Sequence, residues 1–158
     1  MSFIDTILEN ESLKIFILSM LPITELRFSI PYGILFYKIP MQSVIILSII
    51  GNILIGIIVI YIIGPIMNIL KKIEIFNSVI EYIFTRTKNK GKIIDNMKFY
   101  GLVIFVGIPF PLTGVWTGSL AAYLFGLSKK KSILAIIFGV LISSTIVTLL
   151  TIYGKIIL

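Results

Sequence analysis

The stretch Pro22-Ile23-Thr24-Glu25-Leu26-Arg27-Phe28-Ser29-Ile30-Pro31 holds an acid and a base, two residues apart, between two prolines. It lies inside an apolar run from about Leu13 to Tyr37. A run of that length can cross a bilayer, which takes about 20 apolar residues. A charge at the bilayer centre costs roughly 2.5–3.5 kcal/mol on insertion scales, so residues bearing one usually pair or face water. Glu25 is the only acid within an apolar run, and Arg27 is the only base clearly embedded in one. Lys14 and Lys38 sit at segment ends, where long side chains reach back to water.

The rest of the chain has the same solvent. Of 158 residues, 58% are hydrophobic and 13% charged, with mean hydropathy +1.09. A soluble domain is about half apolar and a quarter charged. A core of ordinary size cannot hide this much Ile, Leu, Val and Phe, so the chain reads as an all-α integral membrane protein forming one domain over 1–158. The net charge of +7 sits beside apolar segments, where basic residues set topology, so nucleic acid is not an expected partner. The acids Asp5, Glu9 and Glu11 are the wrong charge for the start of a signal peptide.

Three further apolar runs follow, at about Met41–Leu70, Phe99–Leu127 and Ser132–Leu158. The second and fourth runs read as uninterrupted transmembrane helices. Each carries small or polar residues at four-residue spacing: Ser48, Asn52 and Gly56 on one, Ala135, Gly139 and Ser143 on the other. That spacing lets membrane helices approach closely, so packing is the favoured role. Asn52 reads first as an interhelical hydrogen bond and second as a contact to a ligand.

The first and third runs are interrupted. Pro22 and Pro31 break the first; Pro109 and Pro111 break the third, followed by Thr113, Gly114, Trp116, Thr117 and Gly118. Proline removes a helix donor and clashes with the preceding turn. Broken backbone at membrane depth survives only where it is buried in protein or lines a wet cavity. Both flanks of the third run are basic, with Arg86, Lys88, Lys90, Lys92 and Lys98 before it and Lys129, Lys130 and Lys131 after it. Both flanks are therefore expected on the cytoplasmic side, which makes the run a re-entrant hairpin. The first run is either a similar hairpin or a kinked span, depending on the side of the N-terminus. Between the halves, Ile73, Phe76, Ile80, Ile83 and Phe84 recur at helical spacing, as in a basic amphipathic helix on the membrane surface.

The two broken runs match each other. Pro22-Ile23-Thr24 aligns with Pro111-Leu112-Thr113, and the same offset carries Leu35-Phe36 onto Leu124-Phe125 and Ser43 onto Ser132. Each half is then a broken hairpin plus one full helix: residues 12–70 and 99–158, joined by the linker 71–98. One crossing separates them, so the second is inverted relative to the first, a pattern found in secondary transporters.

Glu25 and Arg27 are the candidate pair for proton coupling and substrate. Two residues apart, they share a side only if the backbone between the prolines is extended. Burial and the neighbouring arginine act on the Glu25 proton in opposite senses. Thr24, Pro31, Asn52, Pro111, Thr113, Gly114, Trp116 and Thr117 are the candidate lining. Trp116 is an interfacial anchor or the apolar wall of a site.

The run Pro22–Pro31 resembles the Glu-Leu-Arg…Ile-Pro motif of the bacterial small multidrug export protein family. Pro109-Phe110-Pro111-Leu112-Thr113-Gly114-Val115-Trp116-Thr117-Gly118-Ser119-Leu120-Ala121-Ala122 resembles that family's second motif. More loosely, the chain is similar to DedA-like membrane proteins, which have two re-entrant loops with essential acidic and arginine residues. That likeness implies that Glu25 and Arg27 are functional, although the second loop here lacks an arginine.

The expected function is proton-coupled export of a small hydrophobic or amphiphilic compound across the bacterial cytoplasmic membrane. A cation would suit Glu25, Trp116, Tyr32, Phe36 and Tyr123; an anion would suit Arg27. The alternatives are DedA-like movement of an anionic lipid carrier and a non-transporting scaffold. A scaffold should tolerate exchanging the two charges. With no His and no Cys, an enzyme and a metal or other cofactor are not expected. The expected partners are membrane lipids, the substrate, protons and other copies of the chain in a homo-oligomer.

Overall fold

The computed structural model describes residues 10–70, 92–110 and 113–157. Over these residues the chain is all-helical. In chain order the helices are α1 (Glu11–Met20), α2 (Glu25–Phe36), α3 (Met41–Leu70), α4 (Lys92–Gly107), α5 (Val115–Leu124) and α6 (Lys129–Ile157). The proposed surface helix around Phe76 and Ile80 lies outside the described residues.

Two of these helices, α3 and α6, are long and apolar enough to cross a membrane. At 30 and 29 residues they are about 45 Å long, more than the roughly 30 Å of hydrocarbon in a bilayer. Their polar residues face inward and their apolar ones outward. On α3, Ser48 and Asn52 are buried while Ile46, Ile50, Leu54 and Ile58 are exposed. On α6, Ser143 and Ser144 are buried while Leu134, Phe138, Leu141 and Leu149 are exposed. In water such a surface would be one large sticky patch. In lipid it costs nothing, and the chain is a membrane protein.

The small-residue faces do the packing. Ser48 Oγ accepts from Ser29 Oγ of α2 at 2.8 Å. Gly56 lies where a Cβ would press on Ile136 and Val115, and Gly139 where one would overlap Val106. Around these contacts runs a core of Leu26, Ile30, Val106, Val115, Ile136 and Val140. Each long helix packs on both broken segments: α3 on α1, α2 and α5, and α6 on α4, α2 and α5.

The breaks follow local rules. Pro22 holds Leu21 extended (φ −72°, ψ 143°), which ends α1. Pro109 likewise follows the end of α4 by two residues. Helix α5 closes with Gly126 at φ +66°, and the Leu127 N–H bonds back to the Ala122 carbonyl at 3.0 Å, a Schellman stop. One expectation is corrected. Pro31 does not break the first run; it lies inside α2, and the non-helical stretch is only residues 21–24. A membrane helix tolerates an interior proline when its surroundings restrain the freed backbone, and here Ser29, Ile30 and Gly33 are all buried.

The two arms of each broken run fold back on each other. The Lys38 N–H, just beyond α2, donates to Glu11 Oε2 at the start of α1 (3.3 Å), and the Lys14 ammonium lies 5.6 Å from the Tyr37 ring centroid. In the other half, Gly118 of α5 sits against Val106 and Leu102 of α4.

Candidate functional site

The two breaks meet. Between them is a cavity of about 450 Å³, lined by Glu25, Arg27, Thr113, Gly114, Trp116 and Thr117 with Pro22, Ile23 and Pro109 at its edge.

Glu25 and Arg27 belong to the first turn of α2, so they point in different directions, and neither hydrogen-bonds the other. The extended segment that would have paired them is absent, because the helix resumes at Glu25. Each residue instead closes an opposite end of the other broken segment. The backbone N–H groups of Val115 and Trp116, at the start of α5, bond to the Glu25 carboxylate. A helix N-terminus carries partial positive charge and free N–H groups, so a carboxylate fits there. Arg27 goes to the carbonyl end of α4. Its Nη1 donates to the Phe110 carbonyl, and its Nη2 to Thr113 Oγ1 at 3.1 Å and, at 3.5 Å, to the Ile108 carbonyl. Among the described residues its buried Nε has no partner.

Two local features hold Glu25 in place. Its φ is +46°, in the left-handed region that costs an L-residue about 1–2 kcal/mol. Such strain persists only where the surroundings fix the residue. Gly114 supplies the room, since a Cβ there would overlap both carboxylate oxygens of Glu25. Glu25 is 5% exposed, so its charge is offset by the nearby Arg27 charge, by these N–H groups and by the cavity.

The clasp is reciprocal. Trp116 Nε1 of the second break donates to the Met20 carbonyl at the end of α1 (3.1 Å). Thr24 Oγ1 caps the Leu18 carbonyl, and Asn52 Nδ2 donates to the Ser19 carbonyl at 2.7 Å. Within the second break, the Thr113 hydroxyl lies 2.8 Å from the carbonyls of Ile108 and Phe110, donating to one of them. Thr117 Oγ1 accepts the Gly114 N–H at 3.0 Å, the reach-back half of a capping box.

Of the residues singled out in the sequence, six line the cavity together. Thr24, Asn52 and Pro31 do not: the first two serve α1's carbonyl end, and Pro31 is further along α2. Pro111 is outside the described residues. Tyr32 stacks on Phe28 and packs at a tilt against Phe36, all three on α2 and off the cavity. Pro22 and Pro109, read in the sequence as breaks, and Ile23 were not among the expected lining residues. Ile23 had a readable signal, an apolar residue inside a proline-initiated turn, and it is 95% exposed.

Long helices with polar faces inward and apolar faces outward, packed around two breaks held by Glu25 and Arg27, define an α-helical membrane protein. The family model described as "Putative small multi-drug export protein" matches residues 25–146, and the chain belongs to that family. No curated protein and no solved structure matches the chain.

Proposed function

We propose that the chain is a secondary exporter, and that it binds a small hydrophobic or amphiphilic compound in the cavity between the two breaks. The observation that carries this reading is the convergence of Glu25, Arg27, Thr113 and Trp116 on one 450 Å³ space at the meeting point of two interrupted helices. Interrupted helices whose ends face a shared cavity are how transporters build sites at membrane depth. Trp116 and Ile23 offer apolar contact, and Arg27, Thr113 and Thr117 polar contact. Membership of a family described by export supports the same reading.

The two halves act as inverted repeats, each a re-entrant hairpin followed by one full span. The packing supports this. Helix α1 packs on α3 as α4 packs on α6, and α2 crosses to α6 as α5 crosses to α3. The hairpin arms fold back so that entry and exit lie together, at Glu11 and Lys38 in the first half. The basic ends place the second hairpin's mouth on the cytoplasmic side of a bacterial cytoplasmic membrane.

Glu25 is the proton carrier. As a carboxylate it holds the N-terminus of α5. Protonation removes the charge that these N–H groups favour, and loosens α5 while Arg27 still holds α4. Proton binding then changes the shape of the cavity, which is what coupling requires. The chain uses no cofactor and catalyses no covalent step. Reconstitution into vesicles tests this: Glu25→Gln should abolish uptake of an exported dye driven by a pH gradient while expression and folding persist. Undiminished uptake would remove Glu25 from coupling.

A second reading has an observation of its own. Glu25 is held by backbone N–H groups, and Arg27 by two carbonyls and Thr113 Oγ1, so the clasp also serves a scaffold that moves nothing. In that case the wild-type protein itself would show no dye flux, and Glu25→Gln would lower thermal stability alone.

A further inference from the structure

At the far end of α6 from Lys129–Lys131, a second cavity of about 560 Å³ opens between α2 and α6. Two lysines reach it from distant parts of the chain: Lys38 from the turn after α2, and Lys155 from the last turn of α6. Its walls are aliphatic, with Ile34, Ile39, Ile152 and Ile156. Among the described residues neither ammonium group has a partner. Among the described residues the acid at this end is Glu11, which spends Oε2 on the Lys38 backbone N–H. Lys14, the other base here, stands over the Tyr37 ring.

Each lysine alone has an ordinary role, since a base near a helix C-terminus interacts favourably with the last carbonyls. Two of them converging on one concavity with hydrocarbon walls ask for more. The shape calls for a ligand with an anionic head and an apolar body, at the level where helices leave the bilayer. We propose that this cavity is a binding site for one anionic phospholipid, its phosphate between Lys38 and Lys155 and an acyl chain along Ile34 and Ile152. The site is separate from the central cavity and does not depend on the transport reading. Each lysine near an anionic headgroup is worth about fivefold in binding, so the pair gives a clear preference over a zwitterionic lipid.

The absence of cysteine makes a local test clean. Met41 also lines the cavity and is exposed, so Met41→Cys can carry a single fluorophore there. The labelled protein is placed in phosphatidylcholine vesicles with a small fraction of brominated phosphatidylglycerol or brominated phosphatidylcholine. The brominated phosphatidylglycerol should quench several-fold more strongly at equal mole fraction. High salt should shrink that difference, because exposed charges are screened. Lys38→Gln with Lys155→Gln should erase it, and the paired arginine variant should restore it. Equal quenching by both lipids, or a preference that survives the double glutamine variant, would overturn the proposal. Loss of the preference on adding inorganic phosphate alone would assign the site to free phosphate and overturn it too.

Discussion

The carboxyl group of Glu25 occupies the space that a Cβ at residue 114 would take. This contact joins the two halves of the chain at their breaks, and it makes Gly114 a positional requirement. The backbone at Gly114 is extended (φ −153°), which any residue can adopt, so the need is for room alone.

Gly114→Ala should therefore push the carboxylate off the Val115 and Trp116 N–H groups. Losing hydrogen bonds to a charged group costs about 1.5–3 kcal/mol. The melting temperature in detergent should fall clearly. Gly101→Ala is the control, because nothing lies within 4 Å of a Cβ there. It should be neutral, or stabilising by up to about 1 kcal/mol, as expected of alanine in a helix.

Arg27→Lys keeps the charge and loses the fork. A single ammonium cannot span the Phe110 carbonyl and Thr113 Oγ1 as the guanidinium does. Transport rate in vesicles should drop about tenfold, the equivalent of one charged hydrogen bond. A rate equal to wild type would mean that the clasp on α4 has no part in transport.

Trp116→Phe keeps the ring at the cavity and removes the donor to Met20. The stability loss should be about 1 kcal/mol, the worth of a neutral hydrogen bond. Trp116 is also the sole tryptophan of the chain, so its fluorescence reports on the cavity alone. Glu25→Gln should shift that emission, because the Trp116 N–H groups connect both breaks.

Asn52→Ala should separate packing from transport. It leaves the Ser19 carbonyl without its partner at a site where Asn52 is 1% exposed. Stability should fall by about 1–3 kcal/mol. Substrate selectivity should not change, since Asn52 does not line the cavity. A changed selectivity profile would return Asn52 to the site.

The sequence carried the parts of this fold that depend on hydropathy and on proline. The run Met41–Leu70 coincides with α3, because a long apolar segment with no interruption admits one solution in lipid. Pro22 and Pro109 marked the breaks because each acts on its own neighbours. Pro31 misled, because interior proline is decided by the packing around it, and Ser29, Ile30 and Gly33 are buried. The charged pair stood out because of where it sits in the sequence, and the extended backbone on which a direct pairing depended is absent. Glu25 and Arg27 feel each other's charge, yet their hydrogen-bond partners lie more than 80 residues away, at Phe110, Thr113, Val115 and Trp116. The sign of each charge was the available clue. An acid suits a helix N-terminus and a base suits a C-terminus, and the second break offers one of each.

That geometry also changes what a charge exchange means. If the two residues formed a direct pair, Glu25→Arg with Arg27→Glu would preserve it. Here the exchange would set a cation against the α5 N–H groups and an anion against the α4 carbonyls. It should destabilise the protein under either functional reading, so it does not separate exporter from scaffold.

Substrate-dependent proton movement in sealed vesicles, followed with an internal pH dye, tests the central claim most directly. Wild-type protein should move protons when substrate is added. Glu25→Gln, which keeps the size of the side chain and an oxygen for the α5 N–H groups, should insert and fold yet move none. Proton movement of equal size in the two proteins would contradict the account.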